Sequence, residues 1–301
     1  MLKHNKIEKF VLSLPPLTYL ILLFLIPAIL MVFVAFRQPG DYGGVAPLFQ
    51  TINNHKSLNL STSSLVSGFT DGYIWKIFFR SLYFSIITTI LCLFIGYPLA
   101  LFIAKNKGKV RDVLLLLVII PFWSCFLIRV YAWMMILGPN SFIYKIINGI
   151  RAFMGLAQLN LLYSSVAVIA CLVYINLPFM VLPLYANLEK HDSSLIEASR
   201  DLGATSFKTF WQITIPLSFP GILAGSALVF IPCIGMFVVP ELVGDNSSFM
   251  IGNLIKQQFL QAMNWPLGSV TSILMTLSVL VIALIFGIIF SRFGGLKYAK
   301  K

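Results

Sequence analysis

The residues best equipped for intermolecular chemistry lie in one polar run, Glu197 to Pro216 (EASRDLGATSFKTFWQITIP), in an otherwise very apolar half of the chain. Glu197, Arg200, Asp201 and Lys208 alternate there with Phe207, Phe210 and Trp211, so the run offers charged and apolar faces to a partner. Bond-making chemistry has no comparable support. The histidines, His4, His55 and His191, fall in loops or termini, and no nucleophile–base pair or metal cluster lies in the apolar segments. Cys92, Cys125, Cys171 and Cys233 all fall inside apolar runs without metal-ligand spacing, where cysteine behaves as a small hydrophobe. No metal site is expected. No GxxxxGK[ST] phosphate loop is present, so no nucleotide is expected on this chain.

Two short helices should shape the polar run. Asp192 or Ser194 can cap the first, and Ser194 with Glu197 fits a capping box. Gly203 stands where a left-handed residue would end that helix. Thr205 or Ser206 can cap the second, whose apolar positions Phe207, Phe210, Trp211 and Thr214 are three or four apart. Pro216 is expected to stop it, because an interior proline removes a hydrogen bond and clashes with the preceding turn. The expectation is a helix–turn–helix knob between two membrane spans.

Composition demands the membrane. The chain is 58% hydrophobic and 11% charged over 301 residues, and about 20 mainly apolar residues suffice to cross a bilayer. Six stretches qualify, at roughly 17–36, 81–104, 113–137, 164–188, 220–239 and 268–290. No stretch between them is long enough for a domain with its own core, so a single transmembrane domain, all-α, is expected over 1–301. The N-terminal apolar segment is longer than a signal-peptide core and lacks a small-residue cleavage pattern, so it reads as a retained span. Orientation follows Lys and Arg. The N-terminus (Lys3, Lys6, Lys9), the 105–112 loop (Lys105, Lys107, Lys109, Arg111), the 189–219 loop (Lys190, Arg200, Lys208) and the tail (Arg292, Lys297, Lys300, Lys301) hold fourteen. The opposite loops hold seven: Arg37, Lys56, Lys76, Arg80, Lys145, Arg151 and Lys256. Both termini and the knob are therefore expected in the cytoplasm. The net charge of +12 reflects this bias and favours anionic lipid. Nucleic acid would need a basic patch interleaved with stacking aromatics, which the chain lacks.

Smaller features complete the reading. Pro15-Pro16 suggests a short interfacial segment before the first span. The Gly-, Ser- and Asn-rich stretch to about Asp71 reads as irregular outer loop, and Ile74–Arg80 as a short amphipathic segment at the outer interface. Arg129 lies about two turns from the outer end of its span and can snorkel or pair inside the bundle. Asn140–Gly149, with Ser141 as cap, and Met250–Leu260 read as short outer helices. Pro178 and Pro183 should kink the fourth span. Gly221-x-x-x-Gly225 with Ser226 gives the fifth a small-residue face for close helix contact.

The spacing of the knob resembles the cytoplasmic motif of binding-protein-dependent ABC importer permeases. That motif has Glu-Ala-Ala, three residues, Gly, nine residues, then Ile-x-Leu-Pro. Here Glu197-Ala198-Ser199, Gly203 and Ile213-Thr214-Ile215-Pro216 occupy these positions, with Ser199 for alanine and Ile215 for leucine. The run from about Leu91 to Phe290 is also similar to spermidine/putrescine-type permeases. GYPLA (Gly96–Ala100), PFW and IRVYAW (Pro121–Trp123, Ile128–Trp133), LPFMVLPLY (Leu177–Tyr185), EASRDLGA (Glu197–Ala204), IPLSFPGILAG (Ile215–Gly225), and IGNLIKQQF with NWPLGSVTS (Ile251–Phe259, Asn264–Ser272) carry that similarity.

The resemblance implies a type I ABC importer permease fold of six transmembrane helices with a cytoplasmic coupling helix between helices 4 and 5, in the bacterial inner membrane. It implies four kinds of partner: a second, different permease, two ATPase subunits carrying ATP and Mg, a periplasmic substrate-binding protein, and the polyamine itself. Glu197, Ala198, Ser199, Arg200, Asp201, Gly203, Ile213 and Pro216 would couple to the ATPase, with Arg200 and Asp201 as charged contacts and Pro216 setting the angle to the fifth span. A polyamine is a chain of ammonium groups, recognised by acids and aromatic faces. Glu241 and Asp245 are the acidic candidates for the path, and Trp123, Tyr131, Trp133, Tyr174 and Asn176 can line it. Each has a plainer alternative: an exposed loop acid, an interfacial aromatic belt, or a helix–helix hydrogen bond. Rival readings are an importer permease for another delivered solute, such as a metal complex, sulfate or a vitamin, and an ion-coupled secondary transporter. The latter leaves Glu197–Pro216 unexplained and should show paired broken helices in two halves.

Overall fold

In the absence of water to hydrogen-bond the backbone, apolar runs of this length become helices, and their breakers decide where each helix ends. The computed structural model describes residues 6–52 and 55–294. Six helical stretches in it are long and apolar enough to cross a membrane, so the all-α membrane architecture holds. The tail lysines Lys297, Lys300 and Lys301, and Lys3, lie outside the described residues.

Helix α1 (Lys6–Ala35) runs uninterrupted through Pro15, Pro16 and Pro27. The interfacial segment expected at Pro15-Pro16 is thus part of the first span, where Thr18 Oγ1 donates to the Leu14 carbonyl at 2.7 Å. Strands β1 (Phe49–Ile52) and β2 (His55–Leu58) form an antiparallel hairpin, with Phe49 opposite Leu58 and Ile52 opposite His55. Helix α2 (Ser63–Thr70) follows. The stretch expected to be irregular up to Asp71 thus holds two strands and a helix, whose local signals are too short and polar to read. Helix α3 (Gly72–Lys105) absorbs the Ile74–Arg80 segment instead of leaving it separate. Its 34 residues at 1.5 Å each exceed the ~30 Å hydrocarbon core, so part of it stands outside.

The third helical stretch long and apolar enough to cross is Phe126–Phe153, and the expected third span, 113–137, is not continuous. It consists of α4 (Lys109–Ile119), a 3₁₀ turn over Ile120–Trp123, and α5 (Phe126–Leu137). Pro121 lacks an N–H and opens the turn, after which Ser124 and Cys125 are extended (ψ 145° and 137°). Ser124 Oγ donates to the Pro121 carbonyl at 2.7 Å, satisfying one of the groups the break exposes. Helix α6 (Phe142–Phe153) has the expected cap: the Ser141 hydroxyl accepts from the Tyr144 N–H at 3.0 Å. Helix α7 (Ser165–Leu188) passes through Pro178 and Pro183.

Helices α8 (Ser193–Asp201) and α9 (Ser206–Thr209) form the knob, and α9 passes through a π turn (Phe210–Thr214) into α10 (Ile215–Ile234). Pro216 therefore does not stop the second knob helix. A wide π turn just before it relieves the carbonyl that a proline ring would otherwise strike, so knob and fifth span are one helical path. That path starts at Ser206 rather than 220 and ends before Gly235, short of 239. Helix α11 (Val238–Val243), a 3₁₀ turn at Asn246–Ser248, α12 (Ile251–Leu260) and α13 (Trp265–Gly294) complete the chain.

The chain divides into two units, one of residues 1–75 and 254–276, the other of 76–253 and 277–301. In the first, Gly68 of α2 abuts α13: a Cβ there would lie 2.4 Å from Val270 Cγ1. In the second, two apolar clusters hold α3, α7 and α10. One gathers Phe84, Val168, Cys171, Leu172, Cys233 and Met250; the other gathers Cys92, Ala100, Ile103, Met180, Leu184 and Val229. Gly221 and Gly225 give α10 the close-contact face expected of them. A Cβ on Gly225 would sit 2.8 Å from Met180 Sδ, and one on Gly221 2.7 Å from Asn187 Cβ. By contrast, α1 from Leu14 onward exposes nearly all its large apolar side chains, and the Leu277–Ile288 stretch of α13 exposes most of its own. Such faces suit lipid or other membrane helices.

Candidate functional site

The knob begins where Asp192, not Ser194, caps α8: its Oδ1 accepts from the Ser194 N–H at 2.9 Å. This charge-assisted bond holds the Asp192 carboxyl below its ordinary pKa. At the other end the chain forms a Schellman turn. The Gly203 N–H donates to the Arg200 carbonyl (2.8 Å) and the Ala204 N–H to that of Ser199 (3.0 Å). Gly203 has φ +77°, the left-handed value the sequence requires of it. Thr205 then caps α9, accepting from the Lys208 N–H at 3.3 Å.

One contact that holds the two knob helices together is not legible from spacing. Ser199 Oγ and Thr209 Oγ1 lie 2.7 Å apart, both buried, and Ser199 also donates to the Ile196 carbonyl. The serine that replaces the family's alanine is thus the inter-helix clasp. Glu197, Ala198, Arg200, Asp201 and Gly203 stay exposed around it. Leu202, which spacing does not single out, and Phe207 are the most exposed large hydrophobic side chains of the knob, at 88% and 74%. Ile213 is half-buried in the π turn and Pro216 exposed after it.

The knob connects to the bundle through aromatic packing. Phe210 meets Tyr97 of α3 edge-on, with centroids 5.7 Å apart, and the Tyr97 hydroxyl lies 2.9 Å from Ser218 Oγ of α10. Beside the knob, Arg111 of α4 pairs with Glu189 at 2.7 Å, just past the end of α7. Helix α9 is therefore continuous with α10 and, through Phe210 and Tyr97, packed against α3.

The path candidates are dispersed. Trp133 and Tyr174 do come together, edge to face at 5.8 Å. Trp123 (80% exposed) and Tyr131 (52%) point outward. Asn176 is buried and donates to the Leu172 carbonyl of its own helix at 2.8 Å. Arg129 stacks over Phe122 and Phe126, 5.5 and 5.9 Å from their centroids, rather than into an acidic partner. Glu241 is exposed in the first turn of α11.

Asp245 is engaged locally. Its carboxylate accepts from Ser247 Oγ at 2.7 Å and Ser248 Oγ at 2.5 Å, and Ser165 Oγ of α7 lies within 3.2 Å of both hydroxyls. Partial burial pushes the Asp245 pKa up, but the Ser248 and Ser247 bonds outweigh it and hold the pKa below the ordinary carboxylate value. A lowered folded-state pKa means this latch contributes stability above the unfolded carboxylate pKa of about 4, and loses it as pH falls through the folded value. Asp245→Asn should therefore melt earlier than the parent at pH 7, with the difference closing in melts at decreasing pH.

Comparison with known proteins bears on this architecture. The family model described as "binding-protein-dependent transport system inner membrane component" matches residues 96–294. The spermidine/putrescine transport system permease protein PotB of Haemophilus influenzae is 41% identical over 286 residues, covering 94% of this chain and 93% of its own. Its Escherichia coli K12 counterpart is 38% identical over 270 residues, covering 89% and 92%. In fold, the chain resembles the crystal structure of a bacterial ABC transporter for alginate import (TM-score 0.64, 20% identity, 94% and 95% covered). It also resembles the inward-facing MetNI methionine ABC transporter (TM-score 0.55, 19% identity, 74% and 99% covered).

Proposed function

The chain belongs to the family of binding-protein-dependent transport system inner membrane components, and from that premise we propose that it is a permease subunit of an ATP-driven spermidine/putrescine importer. It is a multi-pass inner-membrane protein and a transport subunit rather than an enzyme. Its relatives that span nearly its whole length bear the spermidine/putrescine name, which supports the substrate class. In this reading the chain forms half of a translocation path with a second permease. Two partner ATPase subunits hold ATP and Mg, and a periplasmic binding protein delivers the polyamine. Both termini lie in the cytoplasm, as the lysine and arginine bias indicates.

The observation that carries the coupling role is the knob. It is a pair of capped helices clasped by Ser199 and Thr209, continuous with α10 and bearing exposed Leu202 and Phe207 beside Arg200 and Asp201. Rigid apolar anchors ringed by charge are what a docking surface needs. In this reading Glu241 meets ammonium groups at the outer mouth, and the serine latch of Asp245 shapes that mouth.

Radiolabelled spermidine and putrescine uptake tests the reading, in an import-deficient bacterium expressing this chain with its operon neighbours. ATP-dependent uptake of either polyamine is expected, with a concentration for half-maximal uptake about tenfold higher in Glu241→Gln, the scale of one charged hydrogen bond. Absence of uptake from a demonstrably assembled complex overturns the polyamine assignment.

A further inference from the structure

Between α1 and β1 the chain makes a turn, Gln38–Val45, that carries one aromatic residue to its tip. Tyr42 is wholly exposed, at 103% of its reference surface, and Asp41 beside it is exposed too. The turn is anchored at its base. Arg37 is buried, lies over the Phe33 ring at 5.6 Å, and donates from Nη2 to the Ala46 carbonyl. The Ala46 N–H returns to the Gln38 carbonyl at 2.9 Å, and the Ser61 N–H to that of Phe36 at 2.9 Å.

The tip is braced as well. The Gly43 N–H donates to the Gly40 carbonyl at 3.0 Å, and the Gly44 N–H to that of Met263 at 2.7 Å. Gly43 (φ +92°), Gly44 (φ +77°) and Met263 (φ +52°) all adopt left-handed backbone to allow this. The fit at Gly43 excludes any side chain, since a Cβ would lie 2.6 Å from Met263 Cβ. The backbone of the turn is thus held on both sides of its tip, and Tyr42 stands exposed on it.

From this we propose that the Asp41–Tyr42 tip is a docking point for the soluble substrate-binding protein. The inference rests on the transport reading, which puts residues after the first span on the outer face and makes delivery depend on such a protein. A tyrosine supplies large contact area with few rotatable bonds, and fixing its backbone in advance lowers the ordering cost of association. Asp41 beside it disfavours anionic lipid as the occupant and adds a charge for a polar partner.

The test uses the whole permease–ATPase complex in nanodiscs, titrated with the spermidine-loaded binding protein encoded alongside it, with ATP hydrolysis as readout. Tyr42→Ala is expected to raise the concentration for half-maximal stimulation tenfold or more, the effect of losing an interface anchor. Basal hydrolysis and the maximum at saturation should be unchanged. Gly43→Ala, which keeps the ring but displaces the brace, should give a smaller rise. A photoreactive benzoylphenylalanine at position 42 should form an adduct with the binding protein. Half-maximal concentrations within twofold of the parent, or adducts confined to lipid or to the second permease, overturn the docking point alone. A parent complex that the loaded binding protein does not stimulate brings down the transport reading, and this inference with it.

Discussion

Gly203→Val is expected to uncouple ATP hydrolysis from transport, cutting binding-protein-stimulated hydrolysis and uptake about tenfold or more. The reason is conformational rather than steric. A Cβ at Gly203 meets no heavy atom within 4 Å, yet the residue is held at φ +77° by the Schellman turn that ends α8. A left-handed residue with a Cβ costs roughly 1–2 kcal/mol, and β-branching adds to it. The cheaper course for the chain is to unwind the turn. That releases the Ser199 and Arg200 carbonyls and swings α8 away from the Ser199–Thr209 clasp. Each 1.4 kcal/mol removes a factor of ten from the population of correctly shaped knobs. Gly203→Asn provides the control, because asparagine visits the left-handed region readily. Parallel measurements in proteoliposomes should rank glycine first, asparagine close behind and valine last. Equal activity of valine and glycine would mean that the shape of the turn does not matter for coupling.

The second large effect is on assembly of the bundle. Gly225→Leu should destabilise the protein by about 3 kcal/mol or more, at the upper end of overpacking changes. At this position α10 and α7 touch through backbone. A Cβ alone would lie 3.1 Å from the Met180 carbonyl oxygen and 3.3 Å from Met180 Cα, besides 2.8 Å from its sulfur. A flexible thioether can move; the backbone of a membrane helix cannot without separating the pair. Met180→Ala in the Gly225→Ala background should therefore recover only part of the loss that Gly225→Ala causes. Thermal unfolding in detergent measures both. Full recovery would place the clash on the side chain alone and remove the argument for a backbone contact.

The legibility of the molecule follows the range of the forces involved. Spans and short outer helices were readable because burying apolar surface and satisfying backbone polar groups in lipid act locally, over about 20 residues. The Ser141 cap and the left-handed Gly203 were readable because each is decided within one turn. The capping residue of α8 was not, since Asp192 and Ser194 both suit an N-cap and only the entry path of the chain selects Asp192. Pro216 was misread for a related reason. Proline blocks an α-helix, but a π turn accommodates it, and no residue type announces a π turn. The β-hairpin and α2 escaped notice because short polar segments carry little periodicity.

By itself, then, the sequence determined the membrane class, the number of spans, the helix–turn–helix knob and the family, since these depend on composition and on residues at fixed short spacing. Tertiary structure alone decided the rest: that Ser199 reaches Thr209, that Phe210 leans on Tyr97, that Asp245 is engaged by serines, and that Tyr42 stands free on a braced turn. In most of these the chain brings together residues ten to more than two hundred positions apart. Such distances are fixed by how helices pack, and packing is a property of the whole fold that no local run of residues encodes.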